Sequence, residues 1–210
     1  MLRIAVLAVV VLVLAGCGGS GGRPSGALLH PDELNARAPA TFAATFRTTA
    51  GTFVVHVRRA WAPRGADRFY PLVKNGFYDG QRIFRVVPPF VVQWGISSDP
   101  DVSAAWANAT IPDDPVRAHN ERGTITFASA GPDTRTTQVF VNLGSNEQLD
   151  SQGFAPFGRV TSGMDVVAGL YSGYGDRPTA HQGEMAAQGE AYFAASWPKL
   201  DTIRSASLGP

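Results

Sequence analysis

The stretch Ile83-Phe84-Arg85-Val86-Val87-Pro88-Pro89-Phe90-Val91-Val92-Gln93 constrains this chain more than any other. Two β-forming runs, Ile83 to Val87 and Phe90 to Gln93, flank a prolyl pair that donates no ladder hydrogen bond and has no place inside a sheet. The segment therefore reads as a bent ribbon of two short strands. Side chains alternate along a strand, which puts Ile83, Arg85 and Val87 on one face and Phe84 and Val86 on the other. An arginine among aliphatic side chains is either an edge residue whose charge is led out to water or part of a site.

Downstream, Gly123-Thr124-Ile125-Thr126-Phe127-Ala128-Ser129-Ala130-Gly131-Pro132 reads as strand and loop. A second strand around Gln138-Val139-Phe140-Val141 puts Gln138 and Phe140 on one face. Leu149-Asp150 and Phe157-Gly158-Arg159-Val160 follow. In order and spacing, from about residue 41 to 210, these stretches resemble the cyclophilins, the peptidyl-prolyl cis/trans isomerases. That family carries Phe-x-Arg-Val/Ile ending in Phe-x-x-Gln, then Gly-x-(Ile/Leu)-x-Met-Ala-x-Ala-Gly-Pro, Ser-Gln-Phe-Phe, Leu-Asp and Phe-Gly-x-Val. The resemblance implies a mainly β fold, a closed antiparallel barrel of about eight strands capped by two helices, in agreement with strand-rich halves around two helical patterns.

Carried over residue by residue, the resemblance makes Arg85 catalytic and has Phe90, Val91, Phe140 and Leu149 wall a proline pocket. Gln93 and Gln138 hydrogen-bond the substrate main chain or orient Arg85, and Ala128, Ser129 and Ala130 offer backbone groups to an extended peptide. Phe154 is the nearest counterpart of the family's pocket histidine, reached by allowing one extra residue. Other departures are Gln148 where a Trp often precedes the Leu-Asp pair, which leaves cyclosporin binding uncarried, Ser129 for Asn, and Pro89 for Gly. The implied partners are proline-containing polypeptides. A non-catalytic module that grips proline segments in the same groove is the alternative reading.

The residues agree with such chemistry by what they omit. There is no Gly-x-Ser-x-Gly elbow, no phosphate loop, no cofactor fingerprint and no pair of histidines at metal-ligand spacing. Isomerisation of an X-Pro bond needs none of these, so no cofactor and no metal is expected. Asp99, Asp101, Asp113 and Asp114 fall between Trp94 and Pro115 without the alternating ligands and turn glycine of a calcium loop, and read as a solvated acidic loop.

The amino terminus has its own logic. Arg3 precedes eleven apolar residues, Ile4 to Leu14, short of the roughly 20 that span a bilayer. Leu14-Ala15-Gly16-Cys17 is similar to the lipobox of bacterial lipoproteins and contains the chain's single cysteine. Residues 1–16 are thus expected to be a lipoprotein signal peptide, and 17–40 a lipidated Cys17 with a flexible tether opening Gly18-Gly19-Ser20-Gly21-Gly22. The expected location is the extracytoplasmic face of a bacterial cell envelope, held at the membrane through Cys17. Loss of Arg3 takes the formal charge from +1 to about zero. No basic stripe suggests nucleic acid, and one monomeric domain over 41–210 is expected, without a disulfide.

Within it, Thr41 to Thr48 and Thr52 to Arg58 predict a hairpin with Phe53, Val55 and Val57 on one face and His56 on the other. Ala66, Phe69, Tyr70 and Val73 have helical spacing, with Pro63 in the first turn, Asn75-Gly76 as a stop and a kink or a short second half at Pro71. Ser162-Gly163-Met164-Asp165 resembles a capping box before a second helix with Met164, Val167, Ala168 and Tyr171 inward. Residues 172–189 read as loop, Glu190 to Ala195 as a short helix, and Leu200 to Leu208 as the last strand.

Overall fold

The computed structural model describes residues 26–209. The expected signal peptide, Cys17 and the start of the expected tether lie outside the described residues. The hairpin forms as its alternation dictates, with β1 (Thr41–Thr48) antiparallel to β2 (Thr52–Arg58). Phe46 faces Phe53 across the ladder and their rings stack with centroids 5.0 Å apart, a cross-strand pair of the kind that fixes register. Gly51 supplies the positive φ of the connecting turn, at +144°.

Strands β3 (Arg85–Val87), β4 (Val91–Trp94), β5 (Thr124–Phe127), β6 (Val139–Asn142), β7 (Pro156–Ser162) and β8 (Ile203–Leu208) complete one antiparallel sheet in the order β3-β4-β6-β5-β7-β2-β1-β8. It wraps around a core whose largest buried members include Phe46, Phe53, Phe69, Tyr78, Trp94, Phe127 and Phe157. The expected closed barrel is not formed, because no ladder joins the edge strands β3 and β8 among the described residues. Arg82 and Thr202 make an isolated bridge there. Residues 80–83, ahead of β3, do reach the start of β8: Ile83 N–H donates to Asp201 O at 2.9 Å and Ile203 N–H to Gln81 O at 2.8 Å, but this pairing does not continue along β3. Ile83 lies outside the strand it was expected to open: it packs with Val86 in the main core, while Phe84 enters a separate one.

Helix α1 (Pro63–Lys74) buries Ala66, Phe69 and Val73; it continues past Pro71 for the short second half expected there, Leu72 to Lys74, and Asn75 N–H closes onto Pro71 O. Its first turn has no cap of its own. Asp114 supplies one from the expected acidic loop, accepting from Arg64 N–H (3.0 Å) and Gly65 N–H (2.8 Å) while Arg135 Nη1 donates to it at 3.1 Å. That carboxylate is buried, not solvated. The same loop also contains a helix, α2 (Pro100–Trp106), which Asp99 caps by accepting from Asp101 N–H.

Two capping helices and a short one over Glu190 to Ala195 were expected, and five α-helices form among the described residues. Helix α3 (Met164–Ala168) is one short turn started by Gly163 at φ +75°, so the Ser162 capping box is not made, Ala168 is exposed and Tyr171 lies beyond the helix. Helix α4 (Gln182–Gln188) occupies part of the expected 172–189 loop and leads into α5 (Glu190–Ser196). Residues 26–40 do not hang free as a tether. Leu28 is buried, its carbonyl accepts from Trp106 Nε1 at 2.8 Å, and Ala38 N–H donates to Asp67 at 2.9 Å. Among the described residues no helix is long and apolar enough to cross a membrane.

Candidate functional site

Register brings the chemistry together. Arg85 on β3 faces Gln93 on β4, which faces Phe140 on β6. Alternation adds Val91 to the same face of the sheet, while Val86, Val92, Val139 and Val141 point into the core. On that outer face Val91, Phe140 and Leu149 form a separate apolar cluster flanked by Phe90, Ala128 and Phe154. The result is a groove of about 270 Å³ with an arginine at one end and aromatic and aliphatic walls at the other.

The guanidinium of Arg85 is fixed from several sides. Nη1 donates to Gln93 Oε1 at 3.1 Å, Nε donates to Asp176 Oδ1 at 2.5 Å, and the Phe90 ring lies 5.5 Å from the central carbon. Gln93 Nε2 donates to Gln138 Oε1 (2.9 Å), and Gln138 Nε2 to Gln182 Oε1 (2.9 Å). An arginine only donates, so it sets the direction of this amide chain. Gly95, at φ +124°, lets β4 lie directly against Gln138, whose Cα a Cβ there would overlap.

A buried polar network holds the apolar wall. Asn120 Nδ2 donates to Asp150 Oδ1 (2.7 Å) and Phe154 O (2.8 Å), and its Oδ1 accepts from Thr126 Oγ1 (3.0 Å) and Asn142 Nδ2 (3.1 Å). Asn146 Nδ2 donates to Phe90 O at 2.9 Å. Burial pushes the Asp150 carboxyl up, but hydrogen bonds from Asn120 and His119 outweigh this and hold it below the usual carboxylate range. Buried polar groups so satisfied rigidify what they touch. Here they fix Phe90, Leu149 and Phe154 relative to one another.

Of the residues singled out from the sequence, Arg85, Phe90, Val91, Gln93, Ala128, Ser129, Phe140, Leu149 and Phe154 line the groove. Gln138 stands behind Gln93 in the amide chain. Ala130 does not line the groove: it is exposed and its N–H donates to Thr134 Oγ1 in the 130–134 turn. Thr179 and Gln182 also line the groove, and Asp176 reaches Arg85; no local pattern marked these three. Asn120, Asn142 and Asn146 were missed as well, because a buried amide in a strand or loop has no signature until its partners are placed. Among the described residues no group of three or more His, Cys, Asp and Glu is placed to hold a metal.

The family model described as cyclophilin type peptidyl-prolyl cis-trans isomerase/CLD matches residues 43–187. The peptidyl-prolyl cis-trans isomerase of Acinetobacter baylyi is 33% identical over 140 residues, 64% of this chain and 74% of that protein. The peptidyl-prolyl cis-trans isomerase-like 1 of Gibberella zeae is 34% identical over 140 residues, 62% of this chain and 84% of that protein. The crystal structure of a Cryptosporidium parvum cyclophilin type isomerase superposes with a TM-score of 0.61 at 17% identity, covering 81% of this chain and 98% of that one. At that identity it speaks for the fold alone.

Proposed function

This chain belongs to the cyclophilin-type peptidyl-prolyl cis-trans isomerase family and is an isomerase of that class, and from this premise we propose that it rotates X-Pro bonds in exported polypeptides, with Arg85 as the catalytic residue. The observation that carries the reading is the guanidinium of Arg85 held at the end of an apolar groove.

The obstacle is the partial double bond of the imide, about 18–20 kcal/mol. On twisting, the prolyl nitrogen recovers a lone pair, and a donor that meets it favours the transition state over either planar form. An acceleration of about 10⁵ asks for roughly 7 kcal/mol of such preference, on the order of one or two charge-assisted hydrogen bonds together with pocket fit. Among the described residues Nη2 of Arg85 makes no hydrogen bond, which leaves it to the substrate. Val91, Phe140 and Leu149 receive the prolyl ring, and Phe90 and Phe154 close its sides. Rotation makes and breaks no covalent bond, so proton transfer and cofactor chemistry are not called on.

The location of the work is also proposed. The apolar run Ile4 to Leu14 ending at Ala15-Gly16-Cys17 supports export and lipid attachment at Cys17, which would place the domain at the outer side of a bacterial membrane. Since residues 26–40 pack on the domain, the slack between lipid and fold would be confined to the segment before Gly26.

The test is a protease-coupled X-Pro peptide assay on the chain from Gly26 onward. The wild type accelerates cis-to-trans conversion and Arg85→Ala loses most of it with unchanged circular dichroism. Equal activity in the two proteins overturns the mechanism. Peptide binding without cis/trans exchange in NMR spectra favours the non-catalytic alternative.

A further inference from the structure

We propose that Asp176 is a positioning residue for Arg85, acting with Gln182 from the 172–189 segment to aim the guanidinium into the groove. The proposal rests on the isomerase reading and adds to it a part supplied from outside the sheet. Arg85 lies on β3, an edge strand with no strand on its far side among the described residues, so the sheet alone leaves its long side chain free to swing. Three contacts remove that freedom: Phe90 under the guanidinium, Gln93 at Nη1 and Asp176 at Nε. Gln93 is itself held through Gln138 by Gln182, whose Nε2 donates to Thr179 O at 3.2 Å. Both the direct hold and the far end of the amide chain therefore come from one segment.

That segment is built to present the carboxylate. Gly175, at φ +60°, turns the chain, and its N–H donates to Ser172 O at 2.9 Å. Thr179 donates to Asp176 O through both its N–H (3.0 Å) and its hydroxyl (2.6 Å), which fixes the backbone that carries the acid. Arg177 donates from Nε and Nη2 to Tyr174 O and Gly173 O. Tyr174 packs edge-on against Trp197 and joins the second core, where Phe84, Ile96, Met185, Phe193 and Leu200 are buried together. Arg82 adds an ion pair to Glu190 at the start of α5. The Asp176 side chain is 61% exposed, so as an ion pair it adds little stability; its consequence is directional. With Nε and one Nη1 hydrogen engaged, the donors left for the imide are those that point into the groove, and a guanidinium already in place does not have to be ordered at the transition state.

The experiment uses the full-length protein as wild type, Asp176→Ala and Asp176→Asn. Measurements are kcat and KM by NMR exchange on an X-Pro peptide, and the Arg85 Nε–H resonance. Asparagine keeps an acceptor oxygen in the same place, which a purely electrostatic role would not reward. Asp176→Ala is expected to lower kcat by about tenfold with KM within about twofold, and to lose the Nε–H signal to solvent exchange. Asp176→Asn restores kcat to within about threefold of wild type and recovers the signal, by the same positional argument. Wild-type kcat in the alanine variant, equal losses in both variants, or an Nε–H signal that ignores the substitution overturns the proposal. A wild type that does not isomerise refutes the reading of the preceding subsection instead, and the resonance then decides alone whether Asp176 holds Arg85.

Discussion

Replacing Asn120 with alanine tests the claim that a buried polar network holds the groove wall. The substitution deletes the four side-chain hydrogen bonds to Asp150, Phe154, Thr126 and Asn142. Two partners keep a replacement: Asp150 Oδ1 still accepts from Asn120 N–H at 3.0 Å, and Asn142 Nδ2 still donates to Thr124 Oγ1 at 2.9 Å. The Thr126 hydroxyl and the Phe154 carbonyl lose the only partner they have among the described residues. An orphaned buried polar group costs about 1–3 kcal/mol, so the two together predict a loss of roughly 2–6 kcal/mol. At about 2–4 °C per kcal/mol for a domain of this size, a loss near the middle of that range lowers Tm by roughly 8–16 °C. Urea unfolding at neutral pH measures it, with an unchanged m-value showing that the same surface is exposed. In a Thr126→Val background one orphan is already gone, and the cost of Asn120→Ala should fall by about 1–2 kcal/mol. Because Phe154 loses its anchor, KM for an X-Pro peptide rises more than kcat falls. A loss under about 1 kcal/mol, or the same loss in both backgrounds, refutes the reasoning.

Asp114→Ala uncaps α1 and leaves Arg135 buried without that partner, and should cost about 3–5 kcal/mol in urea unfolding, part of which Arg135→Met in the same protein restores. Stability should also fall in acid. Burial pushes Asp67 up, but the Arg59 guanidinium and Ala38 N–H hold it below its ordinary value, and Asp150 is held low in the same way. In the window below the ordinary carboxylate value of 3.8 the unfolded chain then binds more protons than the folded one. The contribution of these two groups is therefore complete well above that value and lost as pH drops through the lower folded values. The urea midpoint measured from pH 6 to pH 3 should decline at the acid end, and Asp67→Asn should shallow that decline.

What the sequence revealed and what it concealed divide along physical lines. The β1–β2 hairpin and α1 were legible because alternation, helical spacing and the punctuating Pro and Gly residues act over neighbouring positions, whereas most of the groove was legible through the resemblance of its motifs to the cyclophilins. Arg85, Gln93 and Phe140 come from β3, β4 and β6, and register brings these three into one row. Features that depend on distant partners stayed hidden. Asp114 looks like one more acid in a proline-rich loop until Arg135, 21 residues away, buries beside it. Leu28 sits in a stretch that reads as linker, and only Trp106 Nε1, 78 residues on, gives its carbonyl a reason to be buried. Helix α4 buries a single side chain, Met185, and so shows no periodicity. Barrel closure stops short because the bonds from residues 80–83 to the start of β8 do not continue along β3, and no local pattern in either stretch marks where that pairing ends.

Phe84 and Arg85 are consecutive residues that face opposite ways, one into the small core under α4 and α5 and the other into the groove. A peptide unit between them thus works as a rocker: tilt on one side is tilt on the other. Repacking Met185 or Phe193, neither of which lines the groove, would retune the enzyme from behind, leaving the peptide-facing surface chemically as it was.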